Sequence, residues 1–100
     1  MTTPDSTKRD PRDELLDCRN AIEVVDRRII SLLAQRVALG LRAADAKRAA
    51  GLPLKDGARE AEVLDRAVRE GRAVALPEKD IRKIFERIVE MSRRAQEEAR

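Results

Sequence analysis

The chain has 100 residues, which allows one domain with a small hydrophobic core. Charged residues make up 41% of it and aromatic residues 1%, with a formal net charge of +3, a composition that favours helices. One Cys and no His exclude a disulfide framework, a zinc cluster and any His-dependent catalytic triad.

Residues 1–9 are polar and are predicted to form a disordered tail, while residues 10–100 are predicted to form a single domain. The tail lacks the apolar core of a signal peptide, and no later stretch approaches the about 20 apolar residues of a membrane span. We therefore expect a cytoplasmic protein with no membrane partner.

The first predicted helix is long and runs from Asp10 to about Ala50. Asp10 supplies an N-cap and Pro11 the first helical position, while Gly51 and Pro53 mark its end. At 1.5 Å per residue it is about 60 Å long, whereas a compact domain of this size has a radius of gyration of about 13 Å. Either the helix is kinked or another chain covers its apolar stripe. We favour a homodimer in which the long helices pair.

Two shorter helices follow. A loop over residues 51–58 leads to a helix from about Arg59 to Gly71, whose predicted buried residues are Val63, Leu64, Ala67 and Val68. After a second connection, Pro77 and Glu78 open a third helix that runs to about Glu98. Its predicted apolar stripe consists of Ile81, Ile84, Phe85, Ile88 and Ala95. No strand is predicted, so the fold class is all-α with three helices per chain.

Two cations lie within the apolar stripe of the first helix. At about 100° per residue, Arg36 and Lys47 lie about 20° apart around the helix, on its apolar face. A buried charge is costly unless it is compensated, so an anion is expected there. The two residues lie about 16 Å apart along the axis, within reach of one small ligand. Arg19 lies about 25 Å from Arg36, so it reaches that ligand only from the partner chain of an antiparallel dimer.

The other two helices add polar side chains. Asp56 and Arg59 stand at the start of the second helix, and Glu60 continues its buried stripe. Ser92 and Gln96 are four residues apart on the third helix, so they face one pocket. Cations, acids, a hydroxyl and an amide together suit a small dianion that bears a hydroxyl group.

The order and spacing of these residues resemble the all-α chorismate mutase family over about Leu15 to Gln96. The resemblance is carried by Leu16-Asp17-Cys18-Arg19, Ile22, Asp26, Leu32-Leu33-Ala34-Gln35-Arg36, Lys47, Asp56-Gly57-Ala58-Arg59-Glu60, Ser92 and Gln96. It implies an intertwined homodimeric helical bundle, with residues 10–100 as the chorismate mutase domain. It also implies chorismate as substrate, no cofactor and no metal.

By this resemblance the reaction is the Claisen rearrangement of chorismate to prephenate in aromatic amino acid biosynthesis, catalysed by positioning and electrostatics. Arg36 and the partner's Arg19 would hold the two carboxylates. Lys47 and Gln96 would donate hydrogen bonds to the ether oxygen, where negative charge develops. The catalytic residues are thus Lys47, Gln96 and Arg36.

The resemblance gives the remaining residues binding roles. Glu60, with the backbone near Asp56, would bind the ring hydroxyl, and Arg59 would support Glu60. Ser92 would help to bind a carboxylate. Since a chain of 100 residues leaves no room for a regulatory or dehydratase domain, we expect a free-standing enzyme.

Most of these residues also have a purely structural interpretation. Arg36 could form a buried ion pair with Asp26 or Glu60, and Lys47 could satisfy the carbonyls that end its helix. Asp56 could be only a helix cap, and Ser92 could bond to its own backbone. In the same way Arg19, Arg59 and Gln96 could simply be solvated, and ordinary solvated positions are predicted for Arg27, Arg28, Arg42, Arg48, Arg93 and Arg94.

Three alternative functions fit the same residues. A mutase for 4-amino-4-deoxychorismate would have Glu60 facing an ammonium group instead of a hydroxyl. An isochorismate-pyruvate lyase shares the scaffold, but the segment Asp56-x-x-Arg59-Glu60 is more similar to the mutases. The third is a non-enzymatic helical interaction module. Interspersed charges and few aromatic residues argue against a nucleic-acid partner.

Overall fold

A computed structural model describes residues 9–99, and within that range the protein is all-helical, with three helices and no strand. The helices are α1 (Pro11–Ala49), α2 (Gly57–Ala73) and α3 (Glu78–Glu98). Three helices with a long first one are therefore confirmed. The tail predicted at residues 1–9 lies outside the described residues except for Arg9, which forms ion pairs with Glu14 and Asp17. No helix in the described range has an apolar stretch long enough to cross a membrane.

The C-terminus of α1 ends as its sequence predicts. Gly51 adopts a positive φ of 70°, which glycine tolerates without strain. The Leu52 amide donates to the Lys47 carbonyl at 2.8 Å, and the Gly51 amide donates to the Arg48 carbonyl at 3.1 Å. These two bonds form a Schellman motif, which ends α1 at Ala49, two residues after Lys47, and turns the chain towards α2.

The chain divides into two units between Leu32 and Leu33. In the first unit, the described residues form the start of α1, capped by the Asp10 carboxylate, which accepts from the Arg12 amide at 2.9 Å. Every described residue up to Leu32 is exposed. Eight large apolar side chains here are between 42% and 66% exposed: Leu15, Leu16, Ile22, Val24, Val25, Ile29, Ile30 and Leu32. Four of them, Ile22, Val25, Ile29 and Leu32, lie on the predicted apolar stripe, which is thus solvent-accessible in the single chain.

The second unit packs the rest of α1 with α2 and α3 around a core of small side chains. Its buried side chains are Ala44, Ala67, Val68, Val89 and Ser92. Burial was predicted for Val63 and Leu64 as well, but they are half-buried. Ile84, which was predicted to lie on the apolar stripe of α3, is 52% exposed in the single chain. Helices α2 and α3 approach closely at Gly71, where an added Cβ would lie 2.9 Å from Ile81 Cγ1.

Candidate active site

A cavity of about 1130 Å³ lies within the second unit, lined by α1, the loop after it, α2 and α3. Seven of the eight predicted site residues line it: Arg36, Lys47, Asp56, Arg59, Glu60, Ser92 and Gln96. The eighth, Arg19, is an exposed residue of the first unit and does not line this cavity. Helical spacing predicted that Arg36 and Lys47 share one face and that Ser92 and Gln96 share another, while the packing of the three helices brings all seven residues to one cavity.

The cavity lining is strongly cationic. Six basic and three acidic side chains face it, which leaves an excess of three positive charges and favours an anionic ligand. Three of these basic residues, Lys55, Arg66 and Arg93, were not predicted from the sequence to belong to the site. Arg66 follows Arg59 by seven residues, or about two helical turns, so its place on the same face of α2 was predictable. Among residues 9–99 no cluster of three or more His, Cys, Asp or Glu side chains is suited to a metal ion.

Arg36 is held at the cavity wall by α3. Its Nη1 donates a hydrogen bond to Ser92 Oγ at 3.0 Å, and Ser92 is only 6% exposed. Burial lowers the pKa of Arg36, and the positive charges of Arg59 and Arg66 lower it further. The guanidinium therefore lies in a partly desolvated, positive environment, which a bound carboxylate would relieve.

Lys47 and Asp56 order the loop between α1 and α2. The Lys47 ammonium donates to the Leu54 carbonyl at 3.2 Å, a bond to the loop and not to its own helix end. Asp56 Oδ1 accepts from the Arg59 amide at 3.0 Å, so the predicted helix-capping role of Asp56 is confirmed. Its ligand contact stays a prediction.

Glu60 is bound by Arg93. Arg93 Nε donates to Glu60 Oε1 at 3.1 Å and Nη2 donates to Oε2 at 2.9 Å, a parallel pair of charge-assisted bonds. The prediction that Arg93 occupies an ordinary solvated position is therefore wrong. Arg59 was expected to support Glu60, but its Nη1 lies 3.4 Å from a carboxylate oxygen of Glu62. The alternative ion pair of Arg36 with Glu60 is likewise replaced by the Arg93 contact.

Gly40 brings α1 close to the polar end of α3. A Cβ added there would lie 3.2 Å from Gln96 Nε2 and 3.8 Å from Ser92 Cβ and Oγ. A larger residue at position 40 would therefore displace the Gln96 amide. No pattern in the sequence indicated this contact between Gly40 and α3.

The part of the chain that holds these residues is similar to a known protein family. Residues 18–97 match the sequence profile described as chorismate mutase type II. The chain belongs to the chorismate mutase type II family. All eight predicted site residues fall inside the matched range, so the family resemblance read from these residues is confirmed.

One curated relative of this chorismate mutase type II chain is a bifunctional chorismate mutase/prephenate dehydratase from Enterobacter agglomerans. The two are 34% identical over 82 residues, which cover 82% of this chain and 21% of the relative. The chain thus spans about a fifth of the length of the relative that it matches.

Proposed function

We propose that this protein is a chorismate mutase, which converts chorismate to prephenate by a Claisen rearrangement in aromatic amino acid biosynthesis. The ether C–O bond breaks as a new C–C bond forms within the same molecule, so no atom enters or leaves and the protein forms no covalent bond. One observation carries the proposal: seven residues expected of this activity line one cationic cavity in a chain of this family. Residues 10–100 form the proposed catalytic domain, and a cytoplasmic location stays a prediction.

Arg36 is the proposed binding residue for one carboxylate of the substrate. Its guanidinium is partly desolvated and is oriented by the hydroxyl of Ser92, so it can form two parallel hydrogen bonds to a carboxylate without first being ordered. Fixing a carboxylate there restricts the substrate to the compact conformer in which the two reacting carbons meet. Positioning of this kind removes several kcal/mol from a barrier, up to about 7–11 in favourable intramolecular cases.

Lys47 and Gln96 are the proposed donors to the ether oxygen. Negative charge grows on that oxygen as its bond to the ring breaks, so donors placed there stabilise the transition state more than the substrate. Lys47 comes from the last turn of α1 and Gln96 from the last turn of α3, and both are half-buried in the cavity lining.

Glu60 is the proposed acceptor for the ring hydroxyl, with the backbone near Asp56 beside it. Arg59 and Arg66 add positive charge around Arg36 and so favour a substrate with two carboxylates. The family resemblance assigns the second carboxylate a further arginine as its hydrogen-bond donor.

We propose that this donor is the partner's Arg19, in an intertwined homodimer. The support is the apolar stripe of the first unit, whose side chains Ile22, Val25, Ile29 and Leu32 are each at least 50% exposed in the single chain. An isolated helix with no packed face is marginally stable in water, so a second chain that covers this stripe accounts for its pattern.

The activity is tested by incubating purified protein with chorismate, with and without a chelator, and identifying the product by chromatography. We expect prephenate at the same rate in both cases. Equal amounts of chorismate, its 4-amino analogue and isochorismate in competition distinguish the three reactions. Loss of chorismate no faster than the uncatalysed reaction would reject the proposal.

The shared site is tested by mixing two inactive variants, Arg19→Ala and Lys47→Ala, after unfolding and refolding them together. In a mixed dimer one site takes both intact residues from different chains, so random pairing restores about a quarter of the wild-type sites. Each variant refolded alone is the control. A mixture no more active than the two separate variants would reject a site shared between chains.

A further inference from the structure

The ion pair between Arg93 and Glu60 has no part in the roles proposed so far. Both residues line the cavity, and both carboxylate oxygens of Glu60 accept from Arg93. The side chains are 42% and 30% exposed, so the pair is partly desolvated and screened less than a surface pair. Its location at the cavity wall places it beside any ligand that contacts Glu60.

We propose that Arg93 is a positioning and specificity-determining residue. It orients Glu60 to accept a hydrogen bond from a neutral hydroxyl group, and it lowers the affinity of the site for an ammonium group at the same place. This inference rests on the proposed function. In this role the ion pair of Arg93 with Glu60 determines the preference of the enzyme for chorismate over its 4-amino analogue.

The geometry of the pair leaves Glu60 able to accept from a hydroxyl. A carboxylate has about four lone-pair directions, and Arg93 takes one on each oxygen. The remaining directions can accept a hydroxyl proton. Because the fork fixes both oxygens, the carboxylate is oriented before the substrate arrives, and little side-chain freedom is lost on binding.

The charge of the pair disfavours an ammonium group. An unpaired carboxylate would attract a cation, but the charge of Glu60 is balanced by a guanidinium 2.9 Å away. An ammonium group that replaced the ring hydroxyl at Glu60 would also lie close to Arg93, and two like charges in a partly desolvated cavity repel each other. The pair therefore lowers affinity for the amino substrate without removing the hydrogen bond to the hydroxyl.

The test measures kcat/KM for both substrates in wild type and in Arg93→Met, which keeps the length of the side chain and removes its charge and its fork. We expect kcat/KM for chorismate to fall about tenfold, mainly through KM, and the amino-to-hydroxy ratio to rise about tenfold or more. Arg93→Lys keeps the charge without the fork, so the ratio should change by less than about threefold. Arg93→Gln repeats the test should the Met variant fail to fold by circular dichroism.

Two controls separate this effect from simpler ones. Arg94→Met removes a charge from the neighbouring exposed residue, which does not line the cavity, and should leave the ratio unchanged. Lys55→Met removes one positive charge from the cavity lining. It therefore reports how the ratio responds to the overall field alone.

The outcomes distinguish this inference from the proposed function. A wild-type protein that does not consume chorismate rejects the function itself. An active wild type with a ratio unchanged in Arg93→Met, or shifted equally by Lys55→Met, overturns the role of the pair alone.

Discussion

We predict that the Gly40→Ala substitution lowers the activity of this protein without lowering its stability. The added methyl group would lie 3.2 Å from Gln96 Nε2, closer than the about 3.5 Å at which two such heavy atoms rest in contact. The amide must therefore move by at least about 0.3 Å. It is the end of a flexible side chain near the end of α3, so it can move without disturbing the helices.

The effects of Gly40→Ala on stability and on kcat are expected to have opposite signs. Alanine is more favourable than glycine inside a helix by about 0.8–1.0 kcal/mol, so the variant should be as stable as wild type or more stable by up to about 1 kcal/mol. For a domain of this size that corresponds to a rise in Tm of at most about 4–8 °C. Misplacing a catalytic group by 1 Å can cost about 10²-fold, so a shift of a few tenths of an ångström should lower kcat by about three- to tenfold.

The assay is a double-mutant cycle with Gln96→Ala, using kcat for chorismate and Tm from circular dichroism. If Gly40→Ala acts by moving the amide, it should lower kcat in the wild-type background and have no further effect once Gln96 is alanine. Gly57→Ala, in which the added Cβ meets no atom within 4 Å, is the control for Tm only, because Gly57 adjoins the Asp56 backbone proposed to contact the substrate.

Equal losses of kcat in both backgrounds would refute this reasoning, as would an active Gly40→Ala variant with wild-type kcat. The first result would mean that Gly40→Ala acts through atoms other than the Gln96 amide, and the second that the expected shift of the amide does not lower kcat.

Three further variants test other contacts. Lys47→Ala should lower kcat by about 10²-fold or more, as expected for loss of a donor to the developing charge; steady-state kinetics measures this, and an unchanged kcat removes that role. Ser92→Ala takes the acceptor from Arg36 and should cost about 1 kcal/mol in urea unfolding and raise KM more than it lowers kcat. Gly71→Ala places a methyl group 2.9 Å from Ile81 Cγ1, so urea unfolding should show a loss of about 1–3 kcal/mol with an unchanged KM.

Much of the candidate site was predictable because it depends on helical spacing. Arg36 and Lys47 share a face of α1, and Ser92 and Gln96 share a face of α3, since each pair lies close to a whole number of turns apart. Arg66 could have been found by the same rule, seven residues after Arg59. These predictions needed only the period of the helix and the cost of placing charge among apolar residues.

The contact of Arg93 with the site could not be predicted from helical spacing. Arg93 comes directly after the buried Ser92, and an arginine at such a position usually lies on the solvated face of the helix. Its partner Glu60 is 33 residues away on another helix, and no rule of spacing joins them. The same holds for Gly40, whose neighbour Gln96 comes from α3, and for Ile84, whose apolar character did not prevent it from being exposed.

The sequence by itself determined the three helices and the ends of α1 and α3, because caps, prolines and glycines act on backbone bonds within a few residues. Helix α2 (Gly57–Ala73) extends two residues beyond its predicted range of about Arg59 to Gly71 at each end. The sequence also determined which residue types share each face, since that follows from the helical period. Only the tertiary structure decided which of those faces meet. The contacts of Glu60 with Arg93 and of Gly40 with Gln96 depend on how two helices approach each other, and that approach is set by the packing of the small buried core.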